Sequence, residues 1–307
     1  MTAKRFTLFL TVALLACIGI LPILLMFIKS ITINNELNLV HYKTLLSSSR
    51  QWLLLEHSLA LSLITTMLSV AIGLPLGILF GKSDLPFRRV FTLLFTMPLL
   101  LPPYIMAVSW SNFLSREGFL SYFMGSSAVE VASTYLFGLQ GSVLVLFTTF
   151  MPIVMLLTIT YVKIVNPHLE EAARLVCRWG VVLKGITIPI ILPGILLAAI
   201  FVFILTLGEF SVPMFLRYSV FPVESFSQFS AFYDFSAAAT YVTPLVLIAY
   251  LLLIIEKKIL REKIYQLKPS PGAGKTLLIK RYIMMQATHL VGLQLSNGRV
   301  TECLTTY

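Results

Sequence analysis

Six stretches of this chain contain no Asp, Glu, Lys, Arg or His, and each exceeds twenty residues: Phe6 to Ile28, Ser58 to Phe80, Val90 to Phe113, Leu139 to Val162, Ile186 to Leu207 and Phe235 to Ile255. The hydrocarbon core of a bilayer takes about 20 residues of α-helix. Lipid offers backbone N–H and C=O groups no partner, so a crossing segment must satisfy them internally, as a helix does. The pattern therefore predicts an all-α membrane protein with six transmembrane helices. Only 12% of the 307 residues are charged, half the roughly 25% usual for a soluble domain, which excludes an ordinary soluble enzyme.

The charges that remain sit between the apolar runs. With the N-terminus inside, 18 of the 23 Lys and Arg residues fall in inner segments, and only Lys29, Lys43, Arg50, Arg116 and Arg217 fall outside. Positive residues accumulate on the cytoplasmic side, so the expected protein is a multi-pass membrane protein with both termini cytoplasmic. The net charge of +10 follows this topology, with no basic face for nucleic acid. Cys17, Cys177 and Cys303 are too scattered for a disulfide framework or a zinc site, and no residue is assigned as a metal ligand.

Every run carries proline, which predicts kinked helices packed as a bundle. Gly73 and Gly77 form a GxxxG step around Pro75 that allows close helix approach. An ion pump or proton-coupled carrier needs ionisable groups at membrane depth, and the six runs hold none. Energy must enter from elsewhere, and a membrane-embedded enzyme lacks its polar catalytic groups.

The loop between the fourth and fifth runs carries the most information. Asn166 and Pro167 give a helix start, and Glu170 and Glu171 lie in its first turn, where negative charge suits the helix dipole. Ala172, Ala173 and Leu175 offer a small apolar surface, while Arg174 and Arg178 are spaced i, i+4 on another face. A docking helix of about Pro167 to Lys184 is expected, continuous with the fifth span beginning at Pro189.

Glu171-Ala172-Ala173, a later glycine, Ile188-Pro189 and Leu192-Pro193 resemble the EAA loop of binding-protein-dependent ABC importer permeases of the type I fold. The resemblance runs over residues 57–260 and includes Gly73-Leu74-Pro75-Leu76-Gly77 and Leu207-Gly208-Glu209-Phe210-Ser211-Val212-Pro213. It implies a transport subunit that is no enzyme, with the coupling loop at 166–185. Glu170, Glu171, Ala172, Ala173, Arg174 and Gly180 would then meet a cytoplasmic ABC ATPase dimer. ATP binds on those partners, and no cofactor is expected on this chain. A second permease subunit, homologous or identical, and an extracytoplasmic substrate-binding protein complete the implied assembly. The loop departs from the family pattern in two respects: Cys177 stands where a glycine is expected, leaving Gly180 to supply the turn, and the stretch to Pro189 is one residue short.

The wording around Glu209 and the stretch Gln228 to Phe235 look most like the ferric-iron branch, with relatives that move thiamine, polyamines or oxyanions. Glu209, Phe210, Pro213, Tyr233 and Asp234 are the expected pathway or gate residues, and Glu209, Glu224, Tyr233 and Asp234 offer the hard oxygen donors that Fe³⁺ favours. A passive channel or scaffold is the rival from another class, and it has no need of a docking loop. Residues 1–56 read as a first helix and outer loop. Residues 261–307 read as a cytoplasmic tail or the linker of a longer fused permease. Within that tail Pro271-Gly272-Ala273-Gly274-Lys275-Thr276 mimics a phosphate loop, but Pro269 occupies the first glycine position, so nucleotide binding is not expected.

Overall fold

The computed structural model describes residues 2–33, 36–37, 40–115, 118–122, 133–165, 167–175 and 177–267; the phosphate-loop-like tail, Asn166 and Cys303 lie outside them. The described residues are almost wholly helical. α1 (Thr2–Ile31) leads through a two-residue antiparallel ribbon, Thr32–Ile33 with Glu36–Leu37, into α2 (Val40–Ser47) and α3 (Ser49–Lys82). α4 (Arg88–Leu100), α5 (Pro103–Leu114) and a 3₁₀ turn at Phe119–Tyr122 follow, then α6 (Leu139–Val162). The inter-span loop forms α7 (Pro167–Arg174) and α8 (Trp179–Val182), joined through a π-helical turn at Leu183–Thr187 to α9 (Ile188–Leu207). α10 (Ser211–Phe215), α11 (Phe221–Ser230) and α12 (Phe235–Leu267) complete the order. Among them, five helices are long and apolar enough to cross a membrane, or six if the bent α4–α5 pair is one span.

α6 is the central helix, packed on α3, α9, α4 and α5. Its Val145, Leu146 and Val154 are fully buried with Leu61 of α3 and Val202 of α9. The GxxxG step is a real contact: a Cβ on Gly73 would stand 2.9 Å from Val154 Cβ, and one on Gly77 2.5 Å from Thr158 Cβ. Gly81 continues the row against Val162. Only the missing side chains let the two backbones approach this closely, the usual device for helix association in lipid.

The third apolar run is not one helix. It breaks after Leu100 into α4 and α5, bent by 104°. A residue before proline is driven out of the helical region, and two prolines in succession act on two residues: Leu101 has ψ 138° and Pro102 ψ 137°, both extended. Single prolines do not have this effect, since α3, α6, α9 and α12 run on through Pro75, Pro152, Pro193 and Pro244.

The expected docking helix from Pro167 to Lys184 is also two pieces. α7 ends at Arg174, and the next helix starts at Trp179, so Arg174 and Arg178 do not share a helical face. Gly180 is not the turn: it lies inside α8, outside the left-handed region, with open space where a Cβ would stand. The fifth span starts well before Pro189, because α8, the π turn and α9 form one apolar stretch from Trp179 to Leu207. Pro189 supplies no N–H and crowds the carbonyl one turn back, and the wider π turn immediately before it accommodates that loss.

Candidate coupling site

At the Lys82 end of the bundle, three elements distant in sequence converge on one carboxylate. Lys82, the last residue of α3, donates to Glu170 Oε1 of α7, and Thr187 Oγ1, at the end of the π turn, donates to the same oxygen. Both charged side chains are nearly enclosed, 13% exposed for Lys82 and 12% for Glu170. A buried charge is tolerated only when paired and hydrogen-bonded, and this carboxylate has both an ammonium and a hydroxyl. The Lys82 Nζ also lies 5.7 Å from the centroid of the Trp179 ring, and the Arg174 guanidinium 5.3 Å from it. The indole is thus flanked by two cations, an arrangement its electron-rich face favours. Beside it opens a cleft of about 480 Å³ between Pro75, Ile78, Trp179 and Ile188.

Of the residues singled out from the sequence, Glu170 is turned inward to this pair, while Glu171 and Arg174 are on exposed positions of α7. Ala172 is part of the same helix. Ala173 is half-buried, and its carbonyl accepts the Cys177 N–H at 2.9 Å, closing the turn after α7. Sequence reasoning gave Lys82, Trp179 and Thr187 no role at this site. The available signals were a lysine ending an apolar run and a tryptophan between the two arginine positions and the next span.

The expected pathway residues lie at the opposite end and serve mostly as local braces. Glu209 Oε1 accepts from the backbone N–H of Ser211 at 2.9 Å and from its hydroxyl, and Asp234 Oδ1 accepts from Ala237 N at 2.9 Å, capping α12. Pro213 is buried in α10. Phe210 stacks on Phe226 with centroids 4.6 Å apart. Tyr233 is exposed in the α11–α12 turn with φ 54°, a left-handed conformation unusual for a bulky residue. Glu224 pairs with Arg50 at 2.9 Å. Phe210, Phe226, Phe229 and Phe235 line an apolar groove of about 800 Å³ closed by Leu25 and Met26 of α1. Among the described residues no three of the His, Cys, Asp and Glu side chains gather as a metal site. Nearby, burial, reinforced by the Glu56 carboxylate, raises the Tyr218 phenol above its ordinary value of 10.0, and its ring stacks on His57 at 5.0 Å.

A helical bundle of this kind, with a short helix tied to it by a buried ion pair, has the fold of an ABC importer permease. A chain of the bacterial alginate ABC transporter, solved in complex with an alginate pentasaccharide-bound periplasmic protein, superposes with a TM-score of 0.66 over 84% of this chain and 94% of that one, at 14% identity. A chain of the inward-facing MetNI methionine ABC transporter gives 0.57 over 70% and 98%, at 19% identity. At such identities the likeness is one of fold.

Sequence relatives are more specific. The chain is 30% identical over 157 residues to the molybdenum transport system permease protein ModB of Escherichia coli K12, covering 49% of this chain and 66% of that protein. It is 25% identical over 153 residues to ModB of Mycobacterium tuberculosis H37Rv, 49% of this chain and 56% of that protein. It is 24% identical over 172 residues to the putative ferric transport system permease protein FbpB 1 of Haemophilus influenzae Rd, 55% of this chain and 27% of that one. The chain is therefore a homologue of ABC transporter permeases, and it spans just under two thirds of the length of the first of these relatives. No protein-family model matches it.

Proposed function

We propose that this chain is the membrane-spanning permease subunit of an ATP-driven, binding-protein-dependent importer, with no catalytic residue of its own. The observation that carries this reading is α7: a short helix with Glu171 and Arg174 exposed, anchored through Glu170 to the end of a transmembrane helix. A passive channel has no use for such a projection. In this reading a separate ABC ATPase dimer docks on α7 from the cytoplasm, a substrate-binding protein docks at the Glu224 end, and a second permease subunit completes the pathway. Closure of the ATPases displaces α7, the displacement reaches the spans, and the cavity turns outward; hydrolysis reverses it.

For the cargo, an oxyanion of the molybdate kind is favoured over ferric iron. The ModB relatives are the more similar at 30% and 25% identity, and Glu209, Glu224 and Asp234 are each bonded within the protein rather than gathered as an iron-type donor set. Ferric iron remains the second reading, supported by the longer 172-residue match to FbpB 1.

Uptake of labelled molybdate and of ferric iron into proteoliposomes holding the chain, its ATPase and its binding protein tests both levels. ATP-dependent uptake of one cargo is the expected result. Glu171→Lys is expected to leave the protein inserted while abolishing ATPase co-purification and uptake; full uptake by that variant removes α7 from the coupling role.

A further inference from the structure

We propose that Lys82 is a positioning residue, a strut that makes α7 move with the end of α3, so that force delivered to α7 enters the bundle through α3 as well as through α9. The inference rests on the importer reading above and specifies its transmission route. The covalent route from α7 to α9 is compliant. The helix ends at Arg174, with one further i→i−4 bond from Cys177 N–H to the Ala173 carbonyl, a new helix starts at Trp179, and the chain then passes through the π turn at Leu183–Thr187. Interruptions of the i→i−4 ladder are where helices bend, so a push on α7 through the chain alone is partly spent in these joints.

The non-covalent route is short. Glu170 sits in the middle of α7 and binds Lys82 and Thr187 together, which ties α7 to the end of α3 and the base of α9 at one point. Trp179, between Lys82 and Arg174, braces the same junction. From Lys82 the path continues along α3 to Gly77 and, past Pro75, to Gly73, where the Thr158 and Val154 side chains of α6 stand directly against the α3 backbone. These side chains are β-branched and stiff, so a close-packed contact of this kind transmits displacement rather than absorbing it. The arrangement thus delivers motion of α7 to the central helix of the bundle.

The test uses the full chain assembled with its ATPase and binding protein in proteoliposomes, probed with labelled molybdate and ferric iron. Lys82→Met is expected to keep ATPase co-purification while raising ATP hydrolysed per cargo ion by about tenfold, as Glu170 keeps its bond to Thr187 but α7 loses its tie to α3 and the carboxylate its counter-charge. Lys82→Arg, which keeps the charge, is expected to hold the wild-type ratio, and the exchange Lys82→Glu with Glu170→Lys to recover much of it. A second readout needs no transport. In inverted membrane vesicles, trypsin is expected to cut after Arg174 about tenfold faster in Lys82→Met, because the anchored helix opens locally. Wild-type coupling together with wild-type cleavage in Lys82→Met overturns the strut. A wild-type assembly without ATP-linked uptake instead defeats the importer reading, and the cleavage rates then decide whether Lys82 fixes α7.

Discussion

At the Lys82 end, α3, α7 and the π turn before α9 meet on a single carboxylate oxygen. At the opposite end, α1, α2 and α12 meet on neutral hydroxyls: Ser30 Oγ and Tyr42 OH are 2.8 Å apart, and Tyr42 OH and Thr243 Oγ1 3.1 Å. The ion pair found there, Arg50 with Glu224, leaves Arg50 71% exposed to solvent. One end therefore stakes its geometry on enclosed opposite charges, where losing either partner strands the other. The other distributes its contacts over weak hydrogen bonds and a pair whose cation, unlike Lys82, is solvated. A junction that must carry force gains from the first design, because its members cannot part independently. A surface that only holds helices together is adequately served by the second.

Substitutions graded by size put this contrast at risk. Glu170→Ala leaves Lys82 enclosed without its partner and is expected to cost about 3 kcal/mol, measured as the shift of the unfolding midpoint in mixed micelles; a negligible shift erases the asymmetry. Gly77→Val forces a side chain into the 2.5 Å gap at Thr158 and is expected to cost about 1–3 kcal/mol by overpacking, with a cysteine cross-linking pattern between α3 and α6 that no longer matches the wild type. Tyr42→Phe removes the hydroxyl joining Ser30 to Thr243 and should cost about 0.6 kcal/mol, the mean for such bonds between membrane helices, read in the same titration. Arg50→Ala is expected to change stability by less than about 0.5 kcal/mol, and a double-mutant cycle with Glu224→Ala should return a coupling that fades with salt.

Much of the scaffold was legible as periodicity and charge. The fourth run, Leu139 to Val162, has the same limits as α6, because glycine precedes it and lysine follows it. Gly73 and Gly77 announced a helix contact that the α3–α6 packing bears out. The third run misled because hydropathy sums over Pro102 and Pro103 as if they were neutral spacers, whereas their steric effect on the preceding residues ends the helix. Glu170 misled for another reason. Its neighbours in sequence describe a solvated first turn, and its actual partner lies 88 positions away on α3, a pairing that no local pattern records. The carboxylates at the Glu224 end were legible as oxygen donors by residue type alone, while the short-range bonds of Glu209 to Ser211 and of Asp234 to Ala237 were not.

The contact row Gly73 with Val154, Gly77 with Thr158 and Gly81 with Val162 advances in the same sense along both helices, so α3 and α6 point the same way through the membrane. Two neighbouring passages with the same heading require a return journey between them. Among the described residues only α4 and α5 supply it: Phe95 of α4 lies against Phe80 near the Lys82 end, and Trp110 of α5 bonds Thr148 nearer the start of α6. The elbow at Pro102 is thus a bend within a crossing rather than a hairpin that turns back. A membrane-impermeant label should accordingly reach residues beyond the two ends of that pair from opposite faces of the bilayer.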